Sequence, residues 1–258
     1  MKLAYSTIVN GDNSAYPSRV ATVIHLSGGP LKCPYLSASE SQDPTFSEDT
    51  SFFLNLVQAQ AEEDGETNAV VFTGPEPLWQ GNAVFELAKN LRQLSYFVKV
   101  ETSGFYSNDV RNLANVANFI SFDVKHSPRQ ANKYGELIGS KVNFEVFQSN
   151  LLTSLTFLEH GKAFKEVKTT IIPGVNDSPE VVEDIAKLIK NSCDQYALCQ
   201  FVPWPLPLAD EKFEKIKPPT RLHLLELAQT ARKHAGRVVV RCHESDDQEV
   251  LPKAQTNL

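Results

Sequence analysis

Short segments rich in Val, Ile, Phe and Thr alternate with segments of helical periodicity along almost the whole chain. β-Branched and aromatic residues favour strands, and we predict seven strands, at residues 20–26, 69–73, 97–102, 119–124, 166–172, 197–202 and 237–242. Between them we predict six helices, at residues 49–63, 82–94, 108–117, 143–160, 179–191 and 219–234. A repeated βα order requires a parallel sheet with crossover helices. The residues alone leave open whether this sheet closes into a partial or complete barrel or stays an open doubly wound sheet.

The composition indicates a globular protein. Hydrophobic residues make up 41% of the 258 residues, and the net charge is -6. No run of Lys and Arg is long enough to track phosphates, so nucleic acid is not an expected partner. The N-terminus lacks the apolar stretch of a signal peptide, and no segment is long enough to span a bilayer, so we expect no membrane role and a cytoplasmic location. We predict a single domain over residues 1–258, with a polar surface loop at about 37–50 and a C-terminal extension from about 204.

One segment carries an unusual combination of glycine, cysteine and proline. Residues 25–39 read HLSGGPLKCPYLSAS, which resembles the cluster loop CxxxCxxC of the radical S-adenosylmethionine (SAM) superfamily, in the form found in activating proteins of glycyl-radical enzymes. On that pattern the first cysteine falls on Gly29, the second on Cys33 and the third on Leu36. The chain has three further cysteines, Cys193, Cys199 and Cys242. No two of the four cysteines are spaced as CxxC.

Two motifs at predicted strand ends are similar to those that hold SAM in this superfamily. Residues 71–80, VFTGPEPLWQ, resemble the GGEP segment; the resemblance implies that Gly74 and Glu76 present acceptors to the SAM amino group. Residues 100–105, VETSGF, resemble the segment on the ribose side, which implies a cofactor role for Glu101 and Thr102. Taken without the resemblance, the first is an ordinary glycine- and proline-rich turn, and the second is a strand followed by a turn.

Two later strand ends carry charged side chains. Alternation along a strand places Asp123 and Lys125 of the segment FDVKH on one face. The resemblance implies that Lys125 contacts the SAM carboxylate and that Asp123 supports the site, whereas the alternative is a structural ion pair. In KTTIIPGVND, residues 168–177, Lys168 stands where the similar activating proteins of archaeal type for anaerobic ribonucleotide reductase have an arginine. A lysine keeps the charge but loses the bidentate geometry.

These resemblances together imply a partial (βα)6 TIM-like barrel of radical SAM type. The family requires a [4Fe–4S] cluster on three cysteines, but this loop supplies Cys33 alone, and we expect the cluster to be absent. The leading hypothesis is therefore a relative of glycyl-radical-enzyme activases that has lost reductive SAM cleavage and binds SAM, a nucleotide or a protein partner, such as a glycyl-radical enzyme or a derived target.

Three alternatives remain open at this point. The chain could be an active radical SAM enzyme with a non-standard cluster that recruits Cys199 and Cys242. It could use SAM or another nucleoside in non-radical chemistry, with the acid and base drawn from Asp123, Lys125, Glu76 and Glu101. It could also be a scaffold that binds partners through the polar loop or through the segment FVPWPLPL around Trp204.

Overall fold

The computed structural model of the protein describes residues 1–38, 46–139, 142–243 and 245–251, the last range for its backbone alone. In these ranges the chain forms ten strands: β1 (Lys2–Asp12), β2 (Val20–Leu26), β3 (Phe46–Asp49), β4 (Thr67–Thr73), β5 (Phe97–Thr102), β6 (Phe119–Asp123), β7 (Phe164–Ile171), β8 (Gln195–Gln200), β9 (Val238–Cys242) and β10 (Ser245–Leu251). The α-helices are α1 (Thr50–Asp64), α2 (Gly81–Gln93), α3 (Ser107–Leu113), α4 (Ala131–Ile138), α5 (Phe144–His160), α6 (Pro179–Ile189) and α7 (Arg221–Ala231). A short 3-10 helix covers Pro77–Gln80.

The chain forms two compact units. The first comprises Met1–Pro30, the described residues of Glu40–Ser121, and Ser149–Phe164. In it β2, β4 and β5 pair in parallel, while β1 pairs antiparallel with both β2 and β3. Side chains of β2 and β4 meet in a buried cluster that also takes in Tyr16 and Phe119. Whether the two units fold as the predicted single domain stays a prediction.

The second unit comprises the described residues of Leu31–Ser39, Phe122–Gln148 and Lys165–Leu258. Here β8 pairs in parallel with both β7 and β9, and β10 pairs antiparallel with β9. The predicted extension beyond residue 204 thus contributes α7, β9 and β10. In the part of the chain that the structure describes, no helix has the length and apolar character needed to cross a membrane.

The predicted βα alternation is confirmed, and the predicted bounds of β2 and β5 agree with those observed. The polar loop predicted at 37–50 needs correction. Residues 39–45 lie outside the described residues, but Phe46–Asp49 is a strand that pairs with β1, and Thr50 begins α1. All four side chains of β3 are exposed, so its sequence shows no alternation of buried and exposed residues. The strand is held by backbone pairing with β1, which the sequence pattern does not reveal.

Candidate functional site

The turn after β4 depends on a glycine. Gly74 has φ +118°, and a Cβ there would overlap the carbonyl oxygen of Leu26 at the end of β2. Only glycine combines this backbone conformation with such a close approach. The glycine brings the chain from β4 directly into Pro75 and Glu76, and Glu76 caps the N-terminus of the short 3-10 helix.

Glu76 is a buried carboxylate whose acceptors are all engaged within the first unit. One oxygen accepts from the backbone N–H of Leu78 at 3.1 Å and from the Thr102 hydroxyl at 2.8 Å. The other accepts from Ser103, from its N–H at 2.9 Å and from its hydroxyl at 2.5 Å. Burial raises the pKa of Glu76, although these donors oppose the shift. A carboxylate can accept about four hydrogen bonds, and Glu76 accepts four. Because its donors are Leu78 after β4 and Thr102 and Ser103 at the end of β5, Glu76 connects the two turns.

Glu101 and Thr102 are consecutive on β5, and consecutive residues of a strand face opposite sides. Because Thr102 faces Glu76, Glu101 points away from it. Its carboxylate forms an ion pair with Lys99 at 3.1 Å and accepts a hydrogen bond from the Thr73 hydroxyl at 3.1 Å. Lys99 also donates to the carbonyl of Ala15 at 2.7 Å. The two predicted cofactor residues of this segment therefore have different surroundings: Thr102 holds Glu76, and Glu101 belongs to a charged network across β4 and β5.

Asp123 and Lys125 do lie together, in the second unit at the end of β6. The Lys125 ammonium, 6% exposed, donates a hydrogen bond to the Asp123 carboxylate and another to the Tyr35 hydroxyl at 2.9 Å. Burial alone would lower the pKa of Lys125, but Asp123, followed by Cys33 and Tyr35, outweighs it and raises that pKa well above its ordinary value. The lysine therefore stays protonated. The second oxygen of Asp123 is buried and has no hydrogen-bond partner in the described part of the chain.

The backbone around Lys125 is fixed by two side chains. Its N–H donates to the hydroxyl of Tyr134 at 3.2 Å, and its carbonyl accepts from the Asn176 amide at 2.8 Å. Asn176 also receives the N–H of Ile172 at 2.7 Å, which closes the loop after β7. The sequence motifs include Tyr35 and Asn176, but nothing in the sequence pairs either residue with Lys125, because that pairing depends on tertiary packing.

Lys168 lies on β7, Cys199 on β8 and Cys242 at the end of β9, while Cys193 lies in the connection before β8. Burial raises the pKa of Cys199, while Arg241 and Lys168 oppose the shift. Cys199 is the register partner of Arg241, so Cys242, the next residue along β9, projects from the opposite face of the sheet. Among the described residues no group of three His, Cys, Asp or Glu side chains is arranged to hold a metal ion.

The segment that resembles the cluster loop divides between the two units, after Pro30. In the first unit Gly29 has φ +148°, and a Cβ there would lie 3.0 Å from the Cβ of Glu76. In the second unit Cys33 is buried, with 9% exposure. The N–H of Leu36 donates to the Cys33 carbonyl at 3.2 Å, and the Leu36 carbonyl accepts from Ala209 at 2.9 Å.

No protein-family model matches the chain. A protein of Methanocaldococcus jannaschii that carries the provisional name of glycyl-radical enzyme activating enzyme is 30% identical over 93% of this chain and 97% of its own length. A 4-hydroxyphenylacetate decarboxylase activating enzyme of Clostridioides difficile is 30% identical over 57% of this chain and 46% of that enzyme. The chain thus spans less than half of the second relative.

Solved structures with low identity share the fold. A radical SAM methyltransferase from Sphaerobacter thermophilus has a TM-score of 0.66 at 17% identity, covering 90% of this chain and 69% of that one. TYW1 with a bound lysine–pyruvate adduct has a TM-score of 0.62 at 14% identity, with coverages of 90% and 80%. The fold is therefore the α/β, TIM-like partial barrel of radical SAM type that the motifs predict. Together with the full-length relative, this places the chain in the glycyl-radical enzyme activating enzymes, a family of the radical SAM superfamily.

Proposed function

We propose that this chain is a member of its family that no longer cleaves SAM reductively and acts instead by binding a small molecule or a protein partner. The family implies SAM and a [4Fe–4S] cluster as cofactors. Such a cluster is held by cysteine thiolates. The observation that carries the proposal is that the segment resembling the cluster loop contains a single thiol, on Cys33.

The backbone at position 29 supports the proposal. A φ of +148° lies in the region that L side chains rarely adopt, and a Cβ would meet Glu76 at 3.0 Å. The residue that faces the position of the first family cysteine is thus the buried Glu76, whose own hydrogen bonds hold it in place. These residues do not fit a three-thiolate cluster, and Leu36 has no donor atom to offer at the third position.

The small-molecule side of the proposal depends on the end of β6. The unpartnered, buried oxygen of Asp123 can accept a hydrogen bond from a ligand. Lys125 keeps a positive charge beside it, which suits a ligand that carries both a donor and an anionic group. SAM and nucleotides have both. In the proposal, Lys168 of the same unit contributes a further contact at this site. A protein partner would be a glycyl-radical enzyme or a target derived from one, in the cytoplasm.

The enzymatic alternatives have less support. A replacement cluster would need Cys199 and Cys242 on the same side of the sheet, but the β8–β9 register directs them to opposite faces. Acid–base chemistry at the site would need a group that changes protonation near neutral pH. Lys125 is held protonated by Asp123, and Glu76 is occupied by four donors.

Two measurements on the full chain test the proposal. After anaerobic incubation with iron, sulfide, SAM and a strong reductant, we expect no formation of 5′-deoxyadenosine; its catalytic formation would refute the loss of reductive cleavage. Isothermal titration with SAM then tests binding. We expect binding that Asp123→Asn weakens, while Glu180→Gln, an exposed acidic change in the first turn of α6, leaves it unchanged. Equal weakening by both variants would remove Asp123 from the site.

A further inference from the structure

Two aromatic rings, Trp79 and Tyr106, lie next to each other in the first unit, close to Glu76 but with no role in the proposed function. Trp79 lies in the short 3-10 helix after β4, and Tyr106 precedes the first turn of α3. Their ring centroids are 6.2 Å apart, and the ring planes meet at 66°. The Trp79 side chain is 57% exposed, although burial of an indole would be favourable. The exposed indole of Trp79 therefore lies beside the half-buried ring of Tyr106 in an edge-on arrangement.

A carboxylate lies at the same place. Asp109 is in the first turn of α3, and its backbone N–H bonds to the carbonyl of Tyr106 at 3.0 Å. Its carboxylate lies against Gly81 at the start of α2, where an added Cβ would be 2.7 Å from one carboxylate oxygen. Within the described ranges no hydrogen bond or ion pair reaches this carboxylate. A partly buried carboxylate without a donor is unfavourable.

The phenol of Tyr106 reports on the charge in this corner. Burial, then the negative charges of Glu76 and Asp109, raise its pKa to about 12. Glu76 already accepts from four donors, whereas Asp109 accepts from none among the described residues. The N-terminus of α2 favours an anion near Gly81 through its dipole, but within the described residues no N–H of that turn donates to Asp109.

We propose that Trp79, Tyr106 and Asp109 form a binding site for an organic cation, an alkylammonium or guanidinium group. Aromatic faces attract such cations within about 6 Å of the ring centroid, and a carboxylate adds a charge-assisted hydrogen bond. A metal ion or inorganic cation would gain little from two aromatic walls. The cation can be a free amine or the side chain of a lysine or arginine in a partner polypeptide. The site is independent of whether the chain binds SAM.

The indole N–H resonances provide a direct test, because the chain has two tryptophans. Trp204, 71% exposed in the other unit, is the internal control for unspecific contact with an exposed indole. The full chain is titrated with n-butylammonium, with acetyl-lysine amide and with its neutral counterpart, acetyl-norleucine amide. We expect the Trp79 resonance to shift with the two cations, with dissociation constants of about millimolar, while the Trp204 resonance and the norleucine titration show no saturation.

Variants then test the carboxylate. Asp109→Asn keeps the shape and should weaken cation binding at least about fivefold, while the matched change Glu180→Gln in the first turn of α6 should have no effect. Trp79→Phe keeps a ring and should retain part of the affinity; because it removes the reporting indole, its binding is followed by the backbone amide shift of Tyr106. Tighter binding of acetyl-lysine amide than of n-butylammonium supports a polypeptide source, and equal binding supports a free amine. Equal binding of the norleucine compound, or no effect of Asp109→Asn, would overturn the proposal.

Discussion

The ammonium of Lys125 donates a hydrogen bond to the hydroxyl of Tyr35, at 2.9 Å, and so links the end of β6 to the segment that retains the one cysteine of the cluster loop. Tyr35 is buried, and burial raises its pKa well above the ordinary value against the opposing charge of Lys125. The same ammonium pairs with Asp123. In the proposed function, Lys125 therefore holds the loop in place of a metal cluster while it keeps a charge at the ligand site.

Removal of the Lys125 ammonium should lower the stability of the fold, because it leaves the Asp123 carboxylate without its ion-pair partner. We expect Lys125→Met to lower the free energy of unfolding in urea by about 3 kcal/mol or more. The double change Lys125→Met with Asp123→Leu should cost less than the single one, because it removes both charges. Lys187→Met, which breaks an exposed i,i+4 pair with Glu183, should cost about 0.5 kcal/mol or less. An equal cost for the single and double variants would argue against the buried pair.

His126 should make the stability depend on pH. It is fully buried, and burial lowers its pKa from the ordinary value of 6.5, although hydrogen bonds to backbone carbonyls oppose this. The unfolded chain then takes up a proton at a pH where the folded protein does not. The stability that the neutral ring contributes is fully present above the unfolded pKa and is lost as the pH falls through the folded pKa.

We therefore expect the free energy of unfolding to fall between about pH 7 and pH 5 by more in the wild type than in His126→Gln. His243→Gln, at an exposed position, serves as the control and should keep the wild-type pH dependence. Identical slopes for the wild type and His126→Gln would contradict the account.

Alanine substitutions at two glycines with positive φ distinguish the cost of backbone strain from the cost of a steric clash. Gly74 has φ +118° and lies against Leu26, whereas Gly65 has φ +67° and open space around it. An alanine pays for the left-handed conformation at either place, about 1–2 kcal/mol. We expect Gly74→Ala to cost at least about 2 kcal/mol more than Gly65→Ala in urea unfolding, because it also displaces the end of β2. Similar costs would mean that the turn relaxes freely.

Restoring the missing cysteines should not restore a cluster. The double variant Gly29→Cys with Leu36→Cys recreates the family spacing, but position 29 has φ +148° and little space beside Glu76. We expect it to be less stable than Leu36→Cys alone by about 1–3 kcal/mol and to bind iron poorly after anaerobic reconstitution. A reconstituted double variant with a full cluster and SAM cleavage would show that the loop adapts.

The sequence predicts the parts of this molecule that local pattern determines. The apolar runs of β2 and β5 give their bounds directly. Asp123 and Lys125 lie together as expected, although Lys125 follows the end of β6. The four exposed side chains of β3 and the glycine within α4 give no such pattern, and neither element is predicted. The bonds of Lys125 to Tyr35 and of Glu76 to Ser103 join residues 90 and 27 positions apart, and only the packed chain reveals them.

The iron and acid-labile sulfide content of the wild-type chain after anaerobic reconstitution tests the central claim most directly. With Cys33 as the single thiol of the loop and Glu76 beside position 29, we predict substoichiometric iron, sensitive to chelator and without the absorption of a [4Fe–4S] cluster. About four irons and four sulfides per chain, retained through gel filtration, would contradict it.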